Sequence, residues 1–427
     1  MLTGADRSKT ESSATRTFLA FIGFESLWGT GFSLAFHGPI LTGFVIAAGG
    51  SITAVGGLAA VGSAVSILLQ PVSAMLFGRS RHRRYIAVTL QWSVAASLLV
   101  PVAVYYGLSA DYFATWAVYA VAATVTLQSI FGSLNSPVFY SLTIDTAPVS
   151  QRGLLQGVRQ VCLAFSGVFA AVLARDLLIG STGPDRYVDV FVVALGFCLV
   201  GPLFILMLRE PEIASQTGVR GWPFLRRSFT RLAGQSGFWR LMIGLALIHA
   251  TLAVGNLIPA LLRQDSGVDI TVADILLFTT VARVAAGPLV GYWVGRHGYR
   301  FGAEVAIAAS VAGWLAVILL PLGWATIFWG LMSGLALVTT DLWNTNLIAQ
   351  VFPTENRVSL LAAAGFVMGP VGVVAPLIWA ILMDGAIEFH HPLGTARIIL
   401  IIAAAMAGVT WLYIRRFVPN PKPAEIQ

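Results

Sequence analysis

Four ionisable side chains lie in stretches of the sequence that are otherwise apolar: Glu25, His249, Arg283 and Asp341. A carboxylate, an imidazole or a guanidinium can exchange a proton, bind an ion or hold a polar group of a small molecule. The stretches around them are long enough to cross about 30 Å of hydrocarbon as helices. A formal charge at that depth costs at least about 2.5–3.5 kcal/mol, so we expect each group to have a partner or a function.

The four groups are predicted to lie near one level of the membrane. Counted from the basic end of each stretch, Glu25 and His249 are roughly 14 Å deep, and Arg283 and Asp341 are roughly 18 Å deep. We therefore expect Glu25 or Asp341 to bind a substrate or a proton. The alternative is a static ion pair of either acid with Arg283 or Arg159 that only joins two helices.

The remaining polar groups have narrower interpretations. Arg283 could clamp a carboxylate with its planar fork of donors, or form an ion pair between helices. Asn344 lies three residues after Asp341 and therefore shares a helix face with it. His249 is interpreted as a hydrogen-bonded helix contact or as a ligand. Arg159 is expected nearer the end of its span, where it would contact a gate or a loop.

A metal site is the alternative use of the same region. Glu25, His37, His249 and Asp341 together could supply oxygen and nitrogen ligands to a divalent transition metal such as iron. No two of them lie three or four residues apart in one span, which disfavours this hypothesis. No other metal site and no cofactor is predicted. The sequence has no Gly-Lys-Ser/Thr phosphate loop and no Ser-His-Asp grouping, so neither ATP-driven transport nor an enzyme is expected.

Composition places the chain in the membrane. Of its 427 residues, 57% are hydrophobic and 11% are charged, whereas soluble domains have about 25% charged residues. Unpaired backbone amides are not tolerated in lipid, so every span is predicted to be a helix. The prediction is an all-α integral membrane protein with twelve transmembrane helices. They are predicted at 17–45, 52–77, 85–106, 113–144, 154–175, 188–208, 240–262, 273–294, 301–321, 324–349, 358–383 and 395–414.

Two of the longest spans are expected to bend, at His37-Gly38-Pro39 in the first span and at Ser136-Pro137 in the fourth. Glycines in the second and eleventh spans predict that other helices approach them closely. These glycines are Gly56, Gly57, Gly62, Gly365, Gly369 and Gly372.

Arginine placement predicts the orientation of the chain. Most of the 26 Lys and Arg residues fall in the amino-terminal segment, in the even-numbered links and in the tail. By the positive-inside rule both termini are cytoplasmic, in what we expect to be a bacterial inner membrane. The net charge of +7 is therefore a topology signal and does not indicate nucleic-acid binding. We also expect no cleavable signal peptide and a functional monomer.

The long sixth link divides the chain into two halves. We predict a cytoplasmic segment at 1–16, six-helix bundles at 17–208 and 240–414, a linker at 209–239 and a tail at 415–427. The linker is interpreted as a plain connection or as a short amphipathic helix on the inner leaflet.

Two short motifs recur at equivalent positions of the two halves. One is a Gly-Arg pair with a further Arg five positions after the glycine, in the second and eighth links. The other is Pro-x-x-x-Arg, in the fourth and tenth links. The residues are Gly78, Arg79 and Arg83 with Gly295, Arg296 and Arg300, and Arg152 with Arg357. Such repetition predicts a duplicated six-helix unit.

The sequence GYWVGRHGYR, from Gly291 through Gly298 to Arg300, resembles the loop motif of the major facilitator superfamily, a glycine followed by Asp-Arg-x-Gly-Arg-Arg. The resemblance implies two pseudo-symmetric six-helix bundles around a cavity lined by spans one, four, seven and ten. It also implies secondary transport by alternating access. The acid of the motif is absent from both halves. Gly295 occupies its position in the second half, and the corresponding stretch of the first half, at Gly78, has no acid either. In the family that carboxylate helps to hold the halves together on the cytoplasmic side.

Asp145 and Glu355 are candidate substitutes for the missing acid.

The expected function is a secondary transporter, coupled to protons as a symporter or antiporter, for a small polar solute that could carry a carboxylate. One alternative is an iron transporter, since some members of the superfamily serve iron uptake, including in organelles such as magnetosomes. The other is a membrane sensor or scaffold that transports nothing. The expected partners are the solute or ion and the lipid bilayer.

Overall fold

The computed structural model describes the backbone of residues 4–36, 38–77, 80, 82–108, 110–146, 152–179, 183–210, 223, 226, 229–230, 233–266, 270–351, 357–388 and 392–419. Within these ranges the structure is almost entirely helical and contains no strand. Eleven helices in the described part are long and apolar enough to cross a membrane. The helix Ile270–His297 completes the twelve spans of the predicted fold.

The spans are numbered in chain order. The first half consists of Gly4–Ala35 with Gly38–Ala47, Ile52–Phe77, Arg83–Ala96 with Leu99–Gly107, Ala110–Thr146, Arg152–Leu178, and Asp185–Val200 with a 3₁₀ turn at Gly201–Met207. The second half consists of Ser236–Leu252 with a 3₁₀ turn at Ala253–Leu257 and a helix at Ile258–Ser266, then Ile270–His297, Tyr299–Leu319, Leu322–Val351, Arg357–Glu388 and Pro392–Phe417. We call the side where the first span begins and the twelfth ends the termini side, and the other the far side.

Prolines explain two interruptions that hydropathy did not predict. A proline lacks the N–H that would bond the carbonyl four residues earlier, and its ring clashes with that carbonyl. Pro101 therefore interrupts the third span near Ser97, and Pro259 interrupts the seventh near Gly255, where the α-helix becomes a 3₁₀ turn. The seventh span is thus two helices in series.

The two expected bends have different outcomes. The first span does stop at Ala35 and restart at Gly38, although His37 itself lies outside the described residues. The break expected at Pro137 is wrong, because the helix Ala110–Thr146 runs through it. There the Ser136 hydroxyl donates to the Gly132 carbonyl at 2.9 Å. The carbonyl that Pro137 leaves without a backbone donor is that of Ser133, four residues earlier, and membrane helices tolerate such an internal proline.

The largest contacts between the two halves are those of the second with the eleventh span and of the fifth with the eighth. The helix Gly38–Ala47 of the first span also packs against the seventh and eighth spans. Glycines permit the approach of the second and eleventh spans, because a Cβ on them would meet the opposite helix. The facing residues are Gly56 with Pro376 and Ala380, Ser63 with Gly372, Ile67 with Gly369, and Gln70 with Gly365. The predicted close packing is confirmed for these four glycines, whereas Gly57 has no neighbour within 4 Å of such a Cβ.

The sixth link is described only in part. Among its described residues, five in its middle part are helical: Pro223, Arg226, Phe229, Thr230 and Ala233. The ring of Phe229 packs edge-on against Phe238 and Phe366, with ring centroids 6.5 Å and 6.1 Å apart. The boundaries of the linker, and its location on the inner leaflet, stay predictions.

Candidate functional site

A buried ion pair joins the first and fifth spans. The Arg159 Nε donates to Glu25 Oε1 at 2.7 Å, and Arg159 Nη2 lies 2.5 Å from the same oxygen. Glu25 is only 5% exposed. It lies ten residues into the apolar stretch that begins at Thr15, or about 15 Å along the helix. Of the two arginines considered as static partners of an acid, Arg159 is the one in contact with Glu25.

Aromatic rings enclose the guanidinium of this pair. The Arg159 Cζ lies 5.2 Å from the ring centroid of Phe21 and 5.2 Å from that of Phe139. Phe24 packs against Phe139 at 5.1 Å and is stacked on Trp28 at 5.9 Å. A cation held over aromatic faces away from water is stabilised by about 2 kcal/mol. The pair is therefore buried among aromatic rings within the first half.

Close packing of the first and fifth spans brings these two side chains together. The Ser166 hydroxyl lies 2.9 Å from the Ser26 carbonyl oxygen and 3.1 Å from that of Glu25. A Cβ on Gly29 would lie 2.9 Å from Leu163 and 3.2 Å from Ser166, so the glycine permits this approach. The backbone of Glu25 is therefore held against the helix that carries Arg159.

The second half contributes Arg283, which is half-buried in the eighth span. The fifth and eighth spans run antiparallel, since Gly167 packs on Thr280 and Arg175 Nη1 lies 4.0 Å from Asp274 Oδ1. In that register Arg283 is level with residue 164, roughly 7 Å further toward the far side than Arg159. The two arginines therefore lie at neighbouring levels in opposite halves.

His249 is half-buried in the seventh span. It adjoins Ala250, whose carbonyl accepts a hydrogen bond from Trp379 Nε1 at 2.8 Å. The side chains of Asp341 and Asn344 lie outside the described residues, although both belong to the helix Leu322–Val351. Their predicted roles therefore stay predictions.

The metal hypothesis finds no ligand cluster in the described part of the chain. No three His, Cys, Asp or Glu side chains there are grouped so that they could hold a metal ion. Of the four proposed ligands, only Glu25 and His249 have described side chains. Glu25 is paired with Arg159, whose Nε and Nη2 both contact the same carboxylate oxygen.

The loop motif of the second half closes the end of the twelfth span. Arg300 Nη1 donates to the carbonyls of Arg415 at 3.4 Å and Val418 at 3.3 Å. Cations at a helix carboxyl end stabilise its unpaired carbonyls. Arg296 is exposed, and Gly291 and Gly295 belong to the helix before the loop. The motif therefore positions helix ends on the termini side.

The first half repeats this contact with Arg84, whereas the spacing had aligned Arg83 with Arg300. Arg84 Nη1 donates to the carbonyls of Leu208 at 3.0 Å and Leu206 at 3.5 Å, at the end of the sixth span. The reason is local: Arg84 and Arg300 are each the second residue of their helix. Equivalent positions are thus counted from the helix start and not from the glycine.

Glu210 is a residue of this region that sequence reasoning missed. Its carboxylate accepts from the backbone N–H of Arg83 at 3.0 Å and of Arg84 at 2.8 Å, the first two residues of the third span. An acid close after a helix was a visible signal, but nothing in the sequence indicated which helix start it caps. Arg83 itself is 3% exposed.

The remaining motif residues cannot be placed. Gly78, Arg79 and Glu355 lie outside the described residues, and so do the side chains of Asp145, Arg152 and Arg357. The proposal that Asp145 or Glu355 replaces the missing acid therefore stays a prediction.

Gly298 is expected to be the least replaceable glycine of the motif. It has φ = 90° and ψ = 161° and precedes the helix Tyr299–Leu319, and a residue with a Cβ is strained by about 1–3 kcal/mol in this conformation, which is essentially restricted to glycine. Gly298→Ala should therefore lower the melting temperature of the purified protein. Gly291→Ala is the matched control, because its Cβ would meet nothing within 4 Å and alanine favours a helix. Equal melting temperatures for the two variants would contradict this assignment.

Twelve spans packed in two halves, of which eleven are long and apolar enough to cross a membrane, with charged groups buried at mid-depth, are typical of secondary transporters. A family model described as Major Facilitator Superfamily matches residues 24–376. The chain therefore belongs to the major facilitator superfamily, a family of membrane transporters and not of enzymes. The family expected from the loop motif is confirmed. No curated protein matches the chain in sequence.

Solved transporter structures share the fold. A point mutant of the nucleoside transporter NupG has a TM-score of 0.67 at 10% identity, over 94% of this chain and 100% of that chain. A D-xylose-proton symporter has a TM-score of 0.65 at 16% identity, over 95% and 97% of the two chains. A bacterial homologue of the human lysosomal transporter Spinster, in an inward-facing and unoccupied conformation, has a TM-score of 0.61 at 15% identity, over 96% and 99%.

Proposed function

We propose that this chain is a proton-coupled secondary transporter of a small polar solute, and that Glu25 is the group that carries the proton. The observation that supports it is the buried ion pair of Glu25 and Arg159, in which two guanidinium nitrogens contact one carboxylate oxygen. A charge pair so far from either membrane surface is retained in a transport pathway more readily than in an inert helix contact.

The pair offers a physical basis for coupling. A proton that reaches Glu25 neutralises the carboxylate and removes most of its attraction for Arg159. The guanidinium, which lies beside the rings of Phe21 and Phe139, then has donors available for an oxygen of the solute. When the proton leaves, Glu25 competes for Arg159 again and the solute is released. Solute and proton would then cross together as in a symporter, whereas an antiporter would use the same competition in alternate steps.

The solute class follows from the same groups. Arg159 is the donor fork of the first half, and Arg283 is at a neighbouring level in the second. Guanidinium groups pair best with carboxylates and other oxygen-rich groups, so we favour a polar solute with such a group. Two of the similar structures are named as a nucleoside transporter and a xylose–proton symporter, and both names refer to small polar solutes.

We further propose that the termini side is cytoplasmic and that the membrane is a bacterial inner membrane. Support comes from the arginine-rich links on that side, as the positive-inside rule requires. Alternating access by the two halves, with a monomer as the functional unit, completes the proposal. No contact among the described residues favours the iron or the sensor hypothesis over it.

Glu25→Gln is expected to abolish accumulation driven by a proton gradient while leaving counterflow exchange of the solute measurable. Glutamine keeps the shape and an acceptor oxygen for Arg159 but cannot be charged at any pH. The measurement is uptake into proteoliposomes with and without an imposed pH gradient. Asp176→Asn is the control, since Asp176 is exposed near the far end of the fifth span.

Two outcomes would contradict this assignment of Glu25. Gradient-driven accumulation that survives in Glu25→Gln would mean that another group carries the proton, with Asp341 as the next candidate. Equal loss of accumulation and counterflow would give Glu25 a binding or structural role. Failure of the Asp176→Asn control would show that the assay does not report on the pair.

A further inference from the structure

Asp384, in the eleventh span, binds the start of the second span on the far side. Its Oδ1 accepts from the backbone N–H of Ile52 at 3.2 Å, and its Oδ2 accepts from that of Thr53 at 2.6 Å. The residue was not singled out in the sequence, because the bond joins positions more than 300 residues apart. It is a direct polar contact between the two halves of the molecule.

These bonds complete the cap of the second span. The first four N–H groups of a helix have no partner within the helix. Here the first bond within the helix runs from the Val55 N–H to the Ser51 carbonyl at 3.3 Å, so the N–H groups of Ile52, Thr53 and Ala54 need other partners. That of Ala54 donates to the Ser51 hydroxyl oxygen at 3.1 Å. The other two donors, of Ile52 and Thr53, are satisfied by Asp384 alone among the described contacts. A carboxylate at a helix start is also favoured by the helix dipole.

The carboxylate lies at the far end of a continuous helix interface. From Asp384, the eleventh span follows the second span through Gly56, Ile67 and Gln70 in one antiparallel register. The packing between these helices is made of glycines against the side chains of the opposite helix, and such contacts can slide or separate. The two charge-assisted hydrogen bonds at its end are directional and break once the helices part.

We infer that the Asp384 carboxylate is a latch between the two halves on the far side, and that its release from the start of the second span accompanies the opening of that side. The inference rests on the alternating-access part of the proposed function. It does not depend on the solute or on the coupling ion.

The reason for a latch at this position is a difference between the two ends of the interface. On the termini side the motif positions that could carry an acid hold Gly78 and Gly295. On the far side, opening exposes two N–H groups and a carboxylate that must then be hydrated. The bonds therefore favour the state in which the far side is closed.

The latch can be tested by a distance measurement between the halves. Nitroxide labels at Leu108→Cys and Leu319→Cys, both exposed and at the far ends of the third and ninth spans, report the separation in liposomes. Cys162 and Cys198 are replaced by Ala in this background. Asp384→Ala is expected to raise the ratio of separated to closed molecules by about twofold to thirtyfold, the range for a lost helix cap.

A second variant removes the bond from the other partner. Thr53→Pro lacks the N–H of the shorter bond, and proline is tolerated in the first turn of a helix. It should shift the distances in the same direction as Asp384→Ala, and it keeps the test valid if that variant does not fold. Asp189→Ala is the control, because Asp189 lies at the far side but pairs with Arg186 of its own helix.

Unchanged distance distributions in the folded Asp384 and Thr53 variants would overturn the inference. A shift as large in Asp189→Ala would also overturn it, because the effect would then reflect surface charge. The measurement needs neither solute nor a gradient. A failed transport assay therefore contradicts the proposed function without touching the latch.

Discussion

Arg159→Met is expected to destabilise the protein strongly, with a loss of about 3–5 kcal/mol in unfolding free energy. The change leaves Glu25 in a 5% exposed site without the two nitrogens that hold it. Methionine fills much of the volume against Phe21 and Phe139, so the loss reports mainly on the charge. Denaturant unfolding of the purified protein in detergent measures it.

The double variant Glu25→Gln with Arg159→Met is expected to recover most of that loss. Replacing both partners of a buried pair by uncharged groups is often neutral, whereas removing one leaves an uncompensated charge. Recovered stability together with lost proton coupling would indicate that the pair is retained for transport and not for folding. A double variant no more stable than Arg159→Met would contradict this account of the pair.

Arg175→Met is the matched control for this series. Arg175 lies in the same helix, but its partner Asp274 is 4.0 Å away and both side chains are partly exposed. Pairs of that kind contribute about 0–1 kcal/mol. A loss in Arg175→Met as large as in Arg159→Met would mean that burial is not the cause.

Gly56→Ala is expected to destabilise the protein by about 1–3 kcal/mol, because an added methyl group overfills the interface between the halves. The Cβ would overlap that of Ala380 and lie 2.8 Å from the Pro376 carbonyl oxygen. The helices would have to separate near the bonds of Asp384, so we also expect slower transport. Thermal unfolding and counterflow rates measure the two effects.

The adjacent glycine gives the control. Gly57 is in the same turn, but a Cβ there meets nothing within 4 Å, and alanine raises helix propensity by up to about 1 kcal/mol. Gly57→Ala should therefore be neutral or slightly stabilising. Adding Ala380→Gly to Gly56→Ala should restore only part of the loss, since the Pro376 carbonyl stays. Equal effects at Gly56 and Gly57 would show that close packing does not limit this interface.

Class, span number and family were predictable from the sequence because each depends on local composition. Hydrophobic length decides whether a segment can cross a bilayer, and the stretch from Gly291 to Arg300 carried the family resemblance even without its acid. The interruptions at Ser97 and Gly255 were also readable from Pro101 and Pro259. Hydropathy, which gave the span boundaries, does not register a missing N–H.

Tertiary structure decided which polar groups are partners. Counting residues placed Arg159 nearer the end of its span than Glu25, and Arg159 was therefore expected to contact a gate or a loop, because depth ignores the reach of its long side chain. The partners of Asp384 and Glu210 were equally hidden, since a capping acid and the helix start that it caps are distant in the chain. Depth in a membrane follows from position along one helix. Pairing depends on the rotation and register of two helices, which only their packing determines.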